Sequence, residues 1–138
     1  MEIIKGEISS DDRGQIRYVN GYDMSSIKRF YIIKNSDTKL IRGWRAHRLE
    51  DRFFYVISGS FEFNIVKIDN WDKPSTNLSI QTYNLTAEDL KLIHLPKGYG
   101  TAIRAIEEES ELLVFANYAL EHASSDNYTW PIDYFNGL

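Results

Sequence analysis

The densest cluster of reactive side chains is Arg42-Gly43-Trp44-Arg45-Ala46-His47-Arg48-Leu49-Glu50-Asp51-Arg52. It places four arginines and one histidine within eleven residues. In an extended strand, residues two apart share a face. Gly43, Arg45 and His47 therefore point the same way, and the missing side chain of Gly43 leaves room beside the other two. Guanidinium groups match phosphate oxygens in a bidentate fork, so this cluster suits a diphosphate. It also suits an enolate, the charge that develops when a proton leaves a carbon next to a ketone. His47 is the one group here able to act as a general base near neutral pH, and neighbouring arginines push its pKa down by disfavouring the imidazolium. The same residues also fit a solvent-facing strand whose arginines pair with Glu50 and Asp51. Composition leaves these two readings open.

Two tyrosines stand out beside this cluster. Tyr31, in Lys28-Arg29-Phe30-Tyr31-Ile32, and Tyr99, in Gly98-Tyr99-Gly100, can each donate a proton or stack on a base. Each equally suits a core ring with its hydroxyl at the rim. Only three histidines exist, His47, His94 and His122, and there is no cysteine. Disulfides, thiolate metal sites and cysteine nucleophiles are excluded. A guanidinium beside His47 repels a divalent cation, so no bound transition metal is expected.

The elements that must position these groups read as β. Period-two patterns and short buried runs mark strands at 27–33, 40–47, 52–57, 61–68, 79–85, 90–95, 101–106 and 111–118. About eight short strands at this spacing predict a single all-β sandwich or barrel. Residues 69–77 read as a loop. Thr86-Ala87-Glu88-Asp89 resembles a capping box with room for a turn only. Residues 119–125 fit one helical turn, and the aromatic run 128–135 is expected to lie over a sheet edge or a partner. The chain has 138 residues and a net charge of −4. That length fits one domain, and the acidic balance argues against nucleic acid. No leader-type h-region or membrane-length apolar run is present, which gives the cytoplasm as the expected compartment.

The order of these segments resembles the deoxythymidine-diphosphate-sugar 3,5-epimerases and the related 3,4-ketoisomerases. Asp12-Arg13-Gly14 resembles the epimerases' D-x-R-G, and Ile27-Lys28-Arg29-Phe30-Tyr31 the ketoisomerases' I-K-R-x-Y. Arg42-Gly43-Trp44-Arg45-Ala46-His47 resembles R-G-x-H-x-H, Val56 to Phe61 the strand-turn-strand that follows, and Asp69 to Leu85 the epimerases' loop between sheets. Leu95-Pro96-Lys97-Gly98-Tyr99-Gly100 resembles I-P-x-G-F-A-H-G. The resemblance implies a cupin-type jelly-roll, usually dimeric, that binds a sugar nucleotide inside the barrel without metal or organic cofactor. It implies that Arg42 and Arg13 contact the diphosphate and that a histidine is the base. The epimerases' base falls on Arg45, their second histidine near Thr101 and their acid tyrosine near Val114. Double epimerisation therefore lacks its catalytic set. The ketoisomerase pair keeps its second member as His47 and loses the first to Arg45. An arginine, with a pKa above ~12, cannot serve as the base but can hold the enolate.

The expected set is thus His47, Arg45 and Tyr31 in chemistry, with Arg42, Arg52, Arg13 and Tyr99 binding a 4-keto sugar nucleotide and Arg52 at the pocket mouth. The competing expectations are a catalytically silent sugar-nucleotide or carbohydrate-binding barrel, and an interaction protein working through its aromatic tail.

Overall fold

A computed structural model describes residues 1–138. Twelve strands run in the order β1 Glu2–Lys5, β2 Glu7–Asp11, β3 Gly14–Tyr18, β4 Arg29–Lys34, β5 Arg42–Ala46, β6 Arg52–Ser58, β7 Ser60–Lys67, β8 Gln81–Thr86, β9 Lys91–Leu95, β10 Tyr99–Ala105, β11 Glu111–Ala116 and β12 Tyr128–Thr129. Two five-stranded antiparallel sheets face each other, one ordered β1-β9-β6-β11-β4 and the other β12-β5-β10-β7-β8. This is the cupin jelly-roll. All eight expected strands are present, with ends shifted by a few residues.

The alternation that marks β4 works as periodicity dictates. Arg29, Tyr31 and Ile33 turn inward, while Phe30, Ile32 and Lys34 are exposed. The β6–β7 hairpin turns at Gly59, where a side chain would strike the Ser110 hydroxyl, 2.0 Å from an added Cβ. Between the sheets, Phe54, Phe61, Phe63, Ile65, Ile93, Leu95, Leu112 and Val114 form the main core. Its apolar contacts set the spacing of the sheets.

A second core lies on the outer face of the other sheet. Trp44, Ala46, Val66, Ile68, Ala102 and Phe135 are buried there. The C-terminal segment covers them. Trp44 and Trp130 exchange backbone hydrogen bonds, and the Trp44 indole N–H donates to the carbonyl of Ile132 at 3.1 Å. The aromatic run therefore lies over its own sheet edge, with Tyr128 and Thr129 adding a strand beside β5.

Besides β12, three strands were not expected. β2 and β3 form a separate hairpin whose residues are almost all exposed. β1 pairs with β9 at a sheet edge. The turn at Thr86 is one 3-10 turn over Ala87–Asp89 with a capping box, and the short helix α1 spans Leu120–Ala123. No helix is long and apolar enough to cross a membrane.

Candidate active site

The open end of the sandwich holds a cavity of about 860 Å³. Arg29 and Tyr31 reach it from β4, Arg42 and Arg45 from β5, and Arg52 and Phe54 from β6. Thr101 and Ile103 come from β10, and Ser124, Asn127 and Thr129 from the C-terminal segment. His47, one residue beyond β5, completes the lining.

Five of the seven expected residues thus meet in one cavity: His47, Arg45, Tyr31, Arg42 and Arg52. Arg13 and Tyr99 do not line it. Arg13 stands exposed at the tip of the β2–β3 hairpin and pairs with Asp11 at 2.6 Å. Tyr99 packs against the main core, as the rim-ring alternative had it. Arg52 departs from the expected pocket mouth. It is only 5% exposed and lies between the sheets, over the ring of Phe54 and 3.4 Å from the Thr101 hydroxyl. The role expected of Gly43 also changes. A Cβ there would lie 2.6 Å from Ala102 Cα. The glycine lets β5 approach β10, and its backbone lines the cavity.

No aspartate or glutamate lines the cavity. Arg42 donates to the Asn35 side chain at 3.0 Å. Arg42, Arg45 and Arg52 make no ion pair with any carboxylate. Burial pushes the Arg52 pKa down, but a guanidinium stays charged at any physiological pH. Three guanidinium groups without a carboxylate ion pair give the cavity a positive field that suits an anion.

His47 is held by the C-terminal segment. Its Nδ1 lies 2.8 Å from the backbone carbonyl of Asp126. A carbonyl only accepts, so Nδ1 carries the hydrogen and Nε2 keeps its lone pair. The Asp126 carboxylate accepts from the backbone N–H groups of Arg48, Leu49 and Glu50 at 2.8–3.0 Å. One buried residue thus fixes both the ring and the turn that carries it. Burial, then the charges of Arg52, Arg45 and Arg29, lower the His47 pKa to about 3, against an opposing pull from the Asp126 carbonyl. The imidazole is therefore neutral at physiological pH.

Glu50 lies beside the Nε2 side of the ring. It is 2% exposed, with Oε1 paired to Arg29 at 2.9 Å and Oε2 3.5 Å from His47 Nε2. Its arginine partner is therefore Arg29 of β4 rather than a neighbour in its own segment. Burial pushes its pKa up, opposed by Arg29 and Arg52. Asp51 instead accepts the Lys97 N–H at 2.8 Å and approaches His94, whose ring stacks on Phe53. His122 lies in α1 beside Tyr118. No three His, Asp or Glu side chains cluster as metal ligands do.

Asp126 and Glu50 were missed as site residues. Asp126 is 79 residues from His47 in sequence and carries no motif. Glu50 carried only the generic expectation of pairing with arginine.

Several solved structures share this fold. One is a mutant of the 3,4-ketoisomerase QdtA from Thermoanaerobacterium thermosaccharolyticum in complex with TDP-4-keto-6-deoxyglucose. It is 20% identical, with a TM-score of 0.70, over 92% of this chain and 85% of that one. The TDP-fucose-3,4-ketoisomerase WlaRA from Campylobacter jejuni is 17% identical, with a TM-score of 0.71, over 92% and 87%. The dTDP-4-dehydrorhamnose 3,5-epimerase from Bacillus anthracis, with TDP and PPi bound, is 15% identical, with a TM-score of 0.73, over 95% and 78%. These identities establish the fold alone. No curated protein matches the sequence. The family model FdtA, described as WxcM-like, C-terminal, matches residues 1–135. With nearly its whole length matched, the chain belongs to the FdtA (WxcM-like, C-terminal) family.

Proposed function

We propose that this protein is a metal-independent sugar-nucleotide isomerase or epimerase acting on a dTDP-4-keto-6-deoxyhexose. The observation that carries the reading is a neutral histidine, Nδ1 fixed by a carbonyl, inside a cavity lined by arginines and no carboxylate. Family membership and the nucleotide ligands of the similar structures support it. In this reading Arg42 holds the diphosphate. His47 Nε2 takes the proton from the carbon next to the ketone. The C–H electron pair becomes the double bond of an enediolate, and the ketone oxygen takes the negative charge. Arg45 and the buried Arg52 hold that oxygen. Tyr31 passes a proton between the two oxygens. His47 returns its proton to the former carbonyl carbon, which completes a shift of the ketone by one position.

The test is incubation with dTDP-4-keto-6-deoxyglucose in deuterated water. The expected result is solvent deuterium at the carbon next to the ketone, lost in His47→Asn. No incorporation, with wild type and variant alike, rejects the reading.

The low basicity of His47 favours one alternative, a barrel that binds a sugar nucleotide without turnover. Stabilisation by dTDP-sugars in a thermal-shift screen, with no deuterium incorporation, selects it. We also propose a homodimer. Phe30 and Ile32 of β4 are exposed beside Phe115, and Ile8 and Ile16 are exposed on the β2–β3 hairpin. Adjacent apolar side chains left in water mark an association surface. A light-scattering mass of one chain rejects the dimer.

A further inference from the structure

A histidine base surrounded by three guanidinium groups has an electrostatic problem. Each proton it accepts creates a fourth positive charge in a buried site. Arg29 approaches from β4, Arg45 from β5 and Arg52 from β6. The negative groups nearby are Asp126 and Glu50. The Asp126 carboxylate is committed to the backbone N–H groups of residues 48–50 and lies 3.9 Å from Nδ1, on the far side of the ring from the lone pair. Glu50 is differently placed. One oxygen is held by Arg29, and the other has no hydrogen-bond partner although it is buried. That unpartnered oxygen is 3.5 Å from His47 Nε2, the nitrogen that gains the proton.

Leaving a buried carboxylate oxygen unpaired is costly, and native proteins rarely do so without a use. At 3.5 Å from an imidazolium it gains a charge partner. Next to a neutral ring it gains none. Glu50 does not line the cavity, so it does not touch substrate.

We infer that Glu50 is a positioning residue whose carboxylate stabilises the protonated form of His47, so that the histidine becomes an effective base once an anion occupies the arginine cavity. This rests on the reading of His47 as the base. Without a bound anion the arginines disfavour a proton on His47. A bound diphosphate offsets the guanidinium charges. The imidazolium then costs less to form beside the Glu50 carboxylate, and the imidazole becomes the better proton acceptor. Substrate binding itself switches the base on. The hydrogen-bonded Asp126 carbonyl keeps the ring fixed while this happens.

The experiment is an NMR titration of the His47 ring in the full-length protein, with and without saturating inorganic pyrophosphate. Pyrophosphate is expected to raise the His47 pKa in the wild type. In Glu50→Gln the pyrophosphate-bound pKa falls below the wild-type value by about 1–3 units, the range expected when a neighbouring opposite charge is lost. Glutamine retains an acceptor for Arg29, so the fold is preserved. Arg29→Met breaks the same ion pair while leaving the carboxylate. It is expected to move the His47 pKa upward, opposite to Glu50→Gln. A purely structural ion pair moves both variants in the same direction. Equal pKa values in wild type and Glu50→Gln, or shifts of one sign in both variants, overturn the proposal. So does failure of pyrophosphate to raise the wild-type pKa. With substrate, Glu50→Gln lowers kcat for deuterium exchange by about 100-fold and leaves KM nearly unchanged, as befits a group tuning the base. Glu50→Asp restores part of the rate. If no form exchanges deuterium yet the two pKa shifts appear with opposite signs, the isomerase reading fails and the coupling of Glu50 to His47 stands.

Discussion

On its outer face β5 carries Trp44 and Ala46; on its inner face it carries Arg45, and His47 follows. The outer residues are fully buried and satisfied. Trp44 meets Phe135 edge-to-face at 5.1 Å, and its indole N–H is hydrogen-bonded. The inner residues are the reverse. Arg45 has no carboxylate partner, and the ring behind it is held neutral. Four consecutive residues thus bind the chain to itself on one side and leave unanswered charge on the other. The C-terminal segment serves both sides, Trp130 and Phe135 outside and Asp126 within. On β5 the packed apolar contacts lie on the outer face. The inner face carries guanidinium charge that no carboxylate pairs, as the proposed anionic ligand requires.

Removing the outer anchor tests this division most severely. Trp44→Ala is expected to cost about 3–5 kcal/mol of unfolding free energy, the range for deleting a buried aromatic ring. A urea titration measures it. A cost below about 1 kcal/mol would show that the second core contributes little. Asp126→Ala comes next. It strips acceptors from three backbone N–H groups, each costly to leave unmade in a buried site. A loss of about 2–3 kcal/mol is expected, with His47 losing its fixed orientation. Intact deuterium exchange in this variant would show that the tail does not organise the base.

How far these two faces were legible in the sequence follows from how local each contact is. The alternation of Trp44, Arg45, Ala46 and His47 declared that neighbours point apart. The arginine-rich inner face was therefore readable, as were the strands around it. The β2–β3 hairpin was not, because residues such as Ser9, Ser10 and Gln15 carry no apolar period when neither face is buried. Arg52 was placed at the mouth because arginine is usually a surface residue. Its burial depends on Phe54 and Thr101, which reach it from its own strand and from the facing sheet. Asp126 owes its role to a contact with His47 across 79 residues and has no local signature; Glu50 stands three residues from His47, and the ion pair that holds it there comes from Arg29, 21 residues away.

Arg52→Met tests the inner face with the opposite sign. A buried guanidinium without a carboxylate partner carries a desolvation cost, and methionine fills much of the same volume. The empty protein is expected to gain about 1–2 kcal/mol, while its stabilisation by dTDP shrinks. Thermal unfolding with and without dTDP measures both. A destabilised variant that keeps full dTDP stabilisation would mean that Arg52 is a structural residue, placing both faces of β5 in the same service.

The last test is the pH dependence of the protein without ligand. The folded His47 pKa is about 3 and its reference value 6.5, so between these limits the unfolded chain binds more protons. The contribution of His47 to stability is therefore complete above pH 6.5 and is lost as the pH falls towards 3. Glu50 works the other way. Its raised pKa contributes stability below its unfolded value, and that contribution is lost as the pH rises through the folded one. Urea midpoints compared at pH 7 and pH 4 register the sum of the two. His47→Asn removes the first contribution alone, and the drop in midpoint on acidification is expected to shrink. Glu50→Gln removes the second alone, and the drop is expected to grow. Two variants bending the profile in opposite directions would place the pH response on the inner face of the barrel. Profiles that coincide with the wild type would place it among the exposed carboxylates instead, such as those of Asp11 and Glu109, whose pKa values are lowered by Arg13 and Lys34.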